Sequence, residues 1–162
     1  MKTLYLIRHA KSSWDDPDKS DFDRPLNERG EKDAPRMGKR LKERPIEIDA
    51  IYSSPALRTL TTAQKIAEQL GFPVDAILVQ RDLYHADEEA LLQFLRHLPD
   101  KNNFIVMVGH NPGITDFANG LLNETIDNIP TAGVVAGQLN IDSWSTAKWA
   151  CGKLAFFDFP KA

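Results

Sequence analysis

The chain has 162 residues, 42% of them hydrophobic and 27% charged, with a formal net charge of -3. That length suits one compact domain with a substantial core, residues 1–162 throughout, and the slight acidity argues against broad attraction to nucleic acid or anionic membrane. Cys151 is the single cysteine, so no intrachain disulfide forms and a reducing compartment fits; no stretch approaches the roughly 20 apolar residues of a membrane helix, the first apolar run is too short for a secretion signal, and a cytoplasmic location is expected.

In chain order, Thr3 to Ile7 is an apolar run of central-strand character that ends on Arg8-His9. Ser12 to Pro25 is a polar loop with five aspartates, Asp15, Asp16, Asp18, Asp21 and Asp23. Its run from Asp16 lacks the glycine and the closing glutamate of a calcium loop, so a solvated segment flanking a pocket is expected, with no metal. Asn27 is placed to cap a helix to about Arg44, with Leu26 as a staple, and Pro35 predicts a kink or a late start.

Ala50 to Ser53 reads as a second strand. In "SSPALRTLTTAQKIAEQLG", Ser54 is a cap, Pro55 suits the first helical position and Gly71 is the stop. Val74 to Val79 is a third strand candidate, and Asp87 to Leu98 carries Leu91, Leu92 and Leu95 at helical spacing. His97 falls where a helix ends, and capping is its expected role. "FIVMVG", Phe104 to Gly109, is a continuous apolar strand, after which Asn111 and Pro112 open a helix to about Leu122. Val134 to Ile141 and Lys153 to Phe159 are closing strands, with Trp144 and Trp149 around the turn between them. Cys151 reads as an ordinary packed residue, and so does Trp14, with a site-rim aromatic as its alternative.

Strands alternating with helices predict an α/β three-layer sandwich, a mostly parallel central sheet flanked by helices. Sites in such sheets gather beyond the carboxyl ends of the strands. Arg8 and His9 follow the first strand, Arg58 the second, and His110 follows "FIVMVG", so all four belong on one rim. Two guanidiniums and two imidazoles there suit an anion with several oxygens, and helix starts near Arg58 and His110 favour phosphate further. A neutral imidazole is a nucleophile toward phosphorus, neighbouring arginines depress its pKa and keep it neutral, and a protonated second histidine stabilises spreading charge.

The segments "LYLIRHAKS", "SSPALRTLTTAQ" and "VMVGHNPGI" resemble, in order and spacing, landmarks of the histidine phosphatase superfamily, whose fold is phosphoglycerate mutase-like. The short chain, without a large helical insertion, and "RPLNERG" after the acidic loop resemble its SixA-like phosphohistidine phosphatase branch. The resemblance implies that His9 is phosphorylated transiently and that Arg8, Arg58 and His110 bind the phosphoryl group, with no cofactor. Asn111, Arg24, Tyr84 and His85 are further candidate substrate contacts.

Two departures stand out. Ala10 replaces the glycine of the widespread motif, and "RDLYHADEE" has Tyr84 or His85 about where many members place a general-acid glutamate. An alkoxide leaving group needs a positioned acid, whereas the imidazole leaving phosphohistidine needs less help. The sequence therefore points to a phosphatase acting on protein phosphohistidine, or on a small phosphorylated metabolite. In a different class, a phosphoprotein-binding module would use Arg8, Arg58 and His110 without turnover, although binding alone does not need His9. An aspartate of the Asp15–Asp23 loop is a candidate base for the attack of water.

Overall fold

A computed structural model describes residues 1–161. Six strands form one sheet: β1 (Lys2–Arg8), β2 (Ala50–Ser53), β3 (Leu78–Val79), β4 (Phe104–Gly109), β5 (Val134–Leu139) and β6 (Gly152–Asp158). Their order is β3-β2-β4-β1-β5-β6. The first four lie parallel; β5 runs antiparallel to β1, and β6 antiparallel to β5. Four helices flank the sheet: α1 (Glu28–Glu43), α2 (Leu57–Leu70), α3 (Glu88–Arg96) and α4 (Gly113–Leu122). The expected α/β sandwich is what forms.

Alternation along β1 builds the two core layers. Leu4 and Leu6 face one way, with Leu91, Leu95, Phe117 and Leu121 of α3 and α4. Tyr5 and Ile7 face the other, with Ala34, Met37, Leu41 and Ile66 of α1 and α2. Strands β1 and β4 are buried on both faces, which is why they read as unbroken apolar runs. No helix among the described residues is long and apolar enough to cross a membrane.

Several local expectations shift. Helix α1 starts at Glu28 and continues past Pro35 to Glu43; Asn27 caps it by accepting from the Gly30 amide at 2.9 Å. The late start anticipated at Pro35 does not occur, because the cap and the packing of Ala34, Met37 and Leu41 hold the segment as one helix. Helix α2 begins at Leu57 rather than Pro55, with the Ser54 hydroxyl accepting from the Ala56 amide one residue ahead of it, and Gly71 ends it at φ 73°. The third strand shrinks to Leu78–Val79 because Val74–Ala76 coils into a 3-10 turn. Trp14 is not packed inside but exposed. His97 does cap α3, its Nδ1 donating to the Gln93 carbonyl at 2.7 Å.

Candidate active site

Strands β1, β2 and β4 end on the same edge, and the register places Arg8 opposite Gly109. His9 and His110 are each the next residue, so they leave the sheet side by side, ring centroids 5.4 Å apart. The chain after His9 is fixed from three directions. The His9 amide donates to the Gly109 carbonyl, the Ala132 amide donates to the carbonyls of Arg8 and His9, and the Ala10 amide donates to Thr62 Oγ1 on α2. Thr62 in turn donates to the Arg58 carbonyl at 2.7 Å, so one threonine ties the histidine turn to the helix carrying Arg58.

His9 is buried, 7% exposed. Its Nδ1 lies 2.8 Å from the Ala10 carbonyl. A carbonyl only accepts, so Nδ1 carries the proton and the lone pair resides on Nε2. Burial pushes the ring's pKa down to about 4, against the Ala10 hydrogen bond, and Arg58, Arg8 and Arg24 lower it further.

His110 is held in the opposite tautomer. Arg58 Nη2 donates to its Nδ1 at 3.3 Å, which leaves the proton on Nε2, 2.8 Å from Ser54 Oγ and 3.3 Å from Thr59 Oγ1. Burial, followed by His9, Arg58 and His85, pushes its pKa down to about 3. In the unliganded site burial and flanking cations thus keep the second histidine neutral, so the charge-stabilising role open to its protonated form requires a proton gained on ligand entry. The sequence reading missed Ser54 as a site residue, because its position before a helix signalled a cap.

Arg58, 4% exposed, donates from Nη1 to the Asp21 carbonyl at 2.6 Å and from Nη2 to the Asp21 carboxylate at 3.0 Å. Arg24 reaches the same carboxylate through Nε and Nη2, donates to Ser12 Oγ at 2.7 Å, and stacks its guanidinium 3.5 Å from the Trp14 ring centroid. Tyr84 donates its hydroxyl to Asp21 Oδ2 at 2.7 Å. Burial alone raises the Asp21 pKa, but the hydrogen bonds from Tyr84, Arg24 and Arg58 outweigh it and hold the carboxyl well below the carboxylate range. Of the five loop aspartates, Asp21 is the one woven into the site.

Arg8 donates to the Ile129 carbonyl at 3.0 Å. The Nε groups of Arg8 and Arg58 are buried without an acceptor among the described residues, so the cradle holds more donors than the protein satisfies itself. A pocket of about 310 Å³ opens over it, lined by Arg8, His9, Arg24, Arg58, His85, His110 and Asn111, with Lys11, Trp14, Asp21 and Thr131. Four cationic side chains thus face a single carboxylate. Asn111 lines the pocket, but its amide is tied to Asn128, Ile129 and Thr115. Tyr84 enters the site through Asp21. Among the described residues, no group of three or more His, Cys, Asp or Glu is arranged to hold a metal ion.

This fold, with two neutral imidazoles inside a cationic cup at the strand ends, defines a phosphoryl-handling enzyme of the α/β class. The family model described as histidine phosphatase superfamily (branch 1) matches residues 4–83. An uncharacterized chloroplastic protein of Arabidopsis thaliana is 30% identical over 155 residues, 90% of this chain and 70% of its own. The crystal structure of a candidate phosphohistidine phosphatase SixA from Agrobacterium tumefaciens superposes with a TM-score of 0.82 at 27% identity, covering 98% of each chain. The protein histidine phosphatase SixA complexed with tungstate gives 0.84 at 22% identity, covering 98% of this chain and 97% of that one. The chain belongs to the histidine phosphatase superfamily, among its SixA-like members, and is a phosphatase.

Proposed function

We propose that the protein removes phosphoryl groups from phosphohistidine on proteins by way of a phosphorylated His9, without a metal ion. The observation that carries this reading is the His9 tautomer: Nδ1 is bonded to the Ala10 carbonyl, leaving Nε2 as a neutral nucleophile beside the cationic pocket. Arg8, Arg24 and Arg58 take the phosphoryl oxygens, their planar forks matching a tetrahedral anion. Asp21 gives up part of its hold on Arg58 as that anion enters. His110, neutral in the free enzyme, gains affinity for a proton beside the incoming negative charge and then helps hold the spreading charge.

A protein substrate is favoured by the mouth of the pocket, where Trp14 and His85 line the opening and stand exposed. The likeness to SixA structures over nearly the whole chain supports the same substrate class.

The test is incubation with a phosphohistidine protein followed by quenching in alkali, where a phosphohistidine enzyme survives and a phosphoserine enzyme does not. Wild type labels on His9, whereas His9→Ala neither labels nor releases phosphate. Release of phosphate by His9→Ala at the wild-type rate rejects the assignment. Turnover of small phosphomonoesters with none of phosphohistidine moves the substrate to the metabolite class.

A further inference from the structure

The transfer to His9 leaves a proton unaccounted for, since the departing atom needs one and the later attack of water must surrender one. Of the groups lining the pocket, Asp21 is held as an anion by two guanidiniums and a phenol, so it has no proton to give and little basicity. His110 has both ring nitrogens engaged. The phenol of Tyr84 is committed to Asp21. Lys11 and the arginines donate when charged but do not accept. Asp87 and Asp116 belong to an adjoining recess, and Asp87 accepts from the Ala90 amide as the cap of α3.

His85 remains. It lines both the catalytic pocket and that recess, so it stands on the boundary a leaving group crosses. Its ring stacks on Tyr84 at 3.9 Å between centroids, lies 6.3 Å from the His110 ring, and places Nε2 3.9 Å from the Asp21 carboxylate. The residue sits at φ 58°, in the left-handed region that histidine enters more readily than most side chains.

We infer that His85 is the proton donor and acceptor of the reaction, oriented by Tyr84 and paired with Asp21. The inference rests on the phospho-His9 reading. In the first half, the His9 Nε2 lone pair forms the N–P bond while the bond from phosphorus to the leaving atom breaks. That electron pair stays on the leaving atom, which takes the proton of the His85 imidazolium. In the second half, neutral His85 takes a proton from water as the water oxygen bonds to phosphorus. The P–N bond breaks, its pair returns to His9, and His85 is again protonated. The groups facing it are Asp21, Tyr84 and His110 from the pocket, with Asp87 and Asp116 from the recess.

The test is kcat/KM for aryl phosphates of graded leaving-group basicity, with wild type and His85→Gln. Expected is a loss of about 100-fold on phenyl phosphate and of no more than about twofold on 2,4-dinitrophenyl phosphate, whose phenolate departs without a proton. With the latter, His85→Gln also gives a burst of one phenolate per enzyme, because water attack has lost its base. An equal loss on every ester, no loss on any, or a wild type that turns over phosphohistidine but no aryl ester overturns the role. Failure of the underlying reading is told apart by His9→Ala, which on that reading is dead on every substrate whatever stands at position 85.

Discussion

The Asp21 carboxylate sits 3.0 Å from Arg58 Nη2 and 3.1 Å from Arg24 Nη2, so in the free enzyme an internal anion engages two of the arginines proposed to take the phosphoryl oxygens. The side chain of Asp21 is 41% exposed, and a half-exposed pair is worth about 0.2–1 kcal/mol. Asp21→Asn is therefore expected to tighten inorganic phosphate binding by about two- to fivefold, measured by calorimetric titration. Weaker binding by the variant would show that Asp21 organises the arginines rather than competing for them.

Acid sensitivity follows from the two histidines. Their folded pKa values lie at about 4 and about 3, below the ordinary 6.5, so the unfolded chain binds protons first as pH falls. Their contribution to stability is full above pH 6.5 and drains away as pH drops toward those lower values. Between pH 7 and pH 5 the loss is about 2 kcal/mol for each. Urea unfolding at the two pH values should show a smaller drop for His9→Asn than for wild type, and equal drops would contradict the assignment. By the same token His9 stays neutral well below pH 6, and labelling of His9, on the proposed mechanism, is expected to persist there.

Arg58, donating to Nδ1, sets the His110 tautomer, and Ser54 Oγ accepts the resulting Nε2 proton at 2.8 Å. Ser54→Ala leaves a buried ring N–H with only the longer contact to Thr59, at a cost of about 1–3 kcal/mol. We expect a tenfold or greater fall in turnover, together with a displaced His110 Nε2 resonance in ¹⁵N spectra as its acceptor is lost, and Ser54→Thr should recover part of both. Unchanged His110 nitrogen shifts in the alanine variant would count against this positioning role.

A Cβ at Gly30 would lie 2.1 Å from the Lys11 carbonyl oxygen, an approach no flexible side chain can relieve. Lys11 immediately follows the His9 turn, and its carbonyl also accepts from the Asn27 amide. Gly30→Ala is expected to lower stability by about 1–3 kcal/mol and to disturb turnover through the displaced turn. A thermal melt matching wild type would show that α1 can slide away from the turn.

The four residues carrying the resemblance were legible because their positions follow from local pattern. Arg8, His9 and His110 end apolar strands, and Arg58 sits in the first turn of a helix with a plain stop at Gly71. The role of Asp21 was not, since it rests on contacts 37 and 63 residues away in sequence, and five aspartates in one polar loop look alike until the loop folds. Ser54 was read only in part: its hydroxyl accepts from the Ala56 amide at the helix start and also meets the His110 ring, and a serine before a helix signals the first role alone. The brevity of β3 was hidden for a similar reason: apolar residues at an exposed edge look like those of a longer strand.

The pairing of Arg8 with Gly109 sets the distance between the two imidazoles by the spacing of neighbouring strands, about 4.8 Å, and makes it independent of any loop. Asp21, Arg24, Tyr84 and His85 come instead from the segments between β1 and α1 and between β3 and α3. The histidine pair is thus built into the sheet while its polar surroundings are supplied by connecting segments, so those segments are free to vary in length and sequence wherever Asp21, Arg24, Tyr84 and His85 are kept.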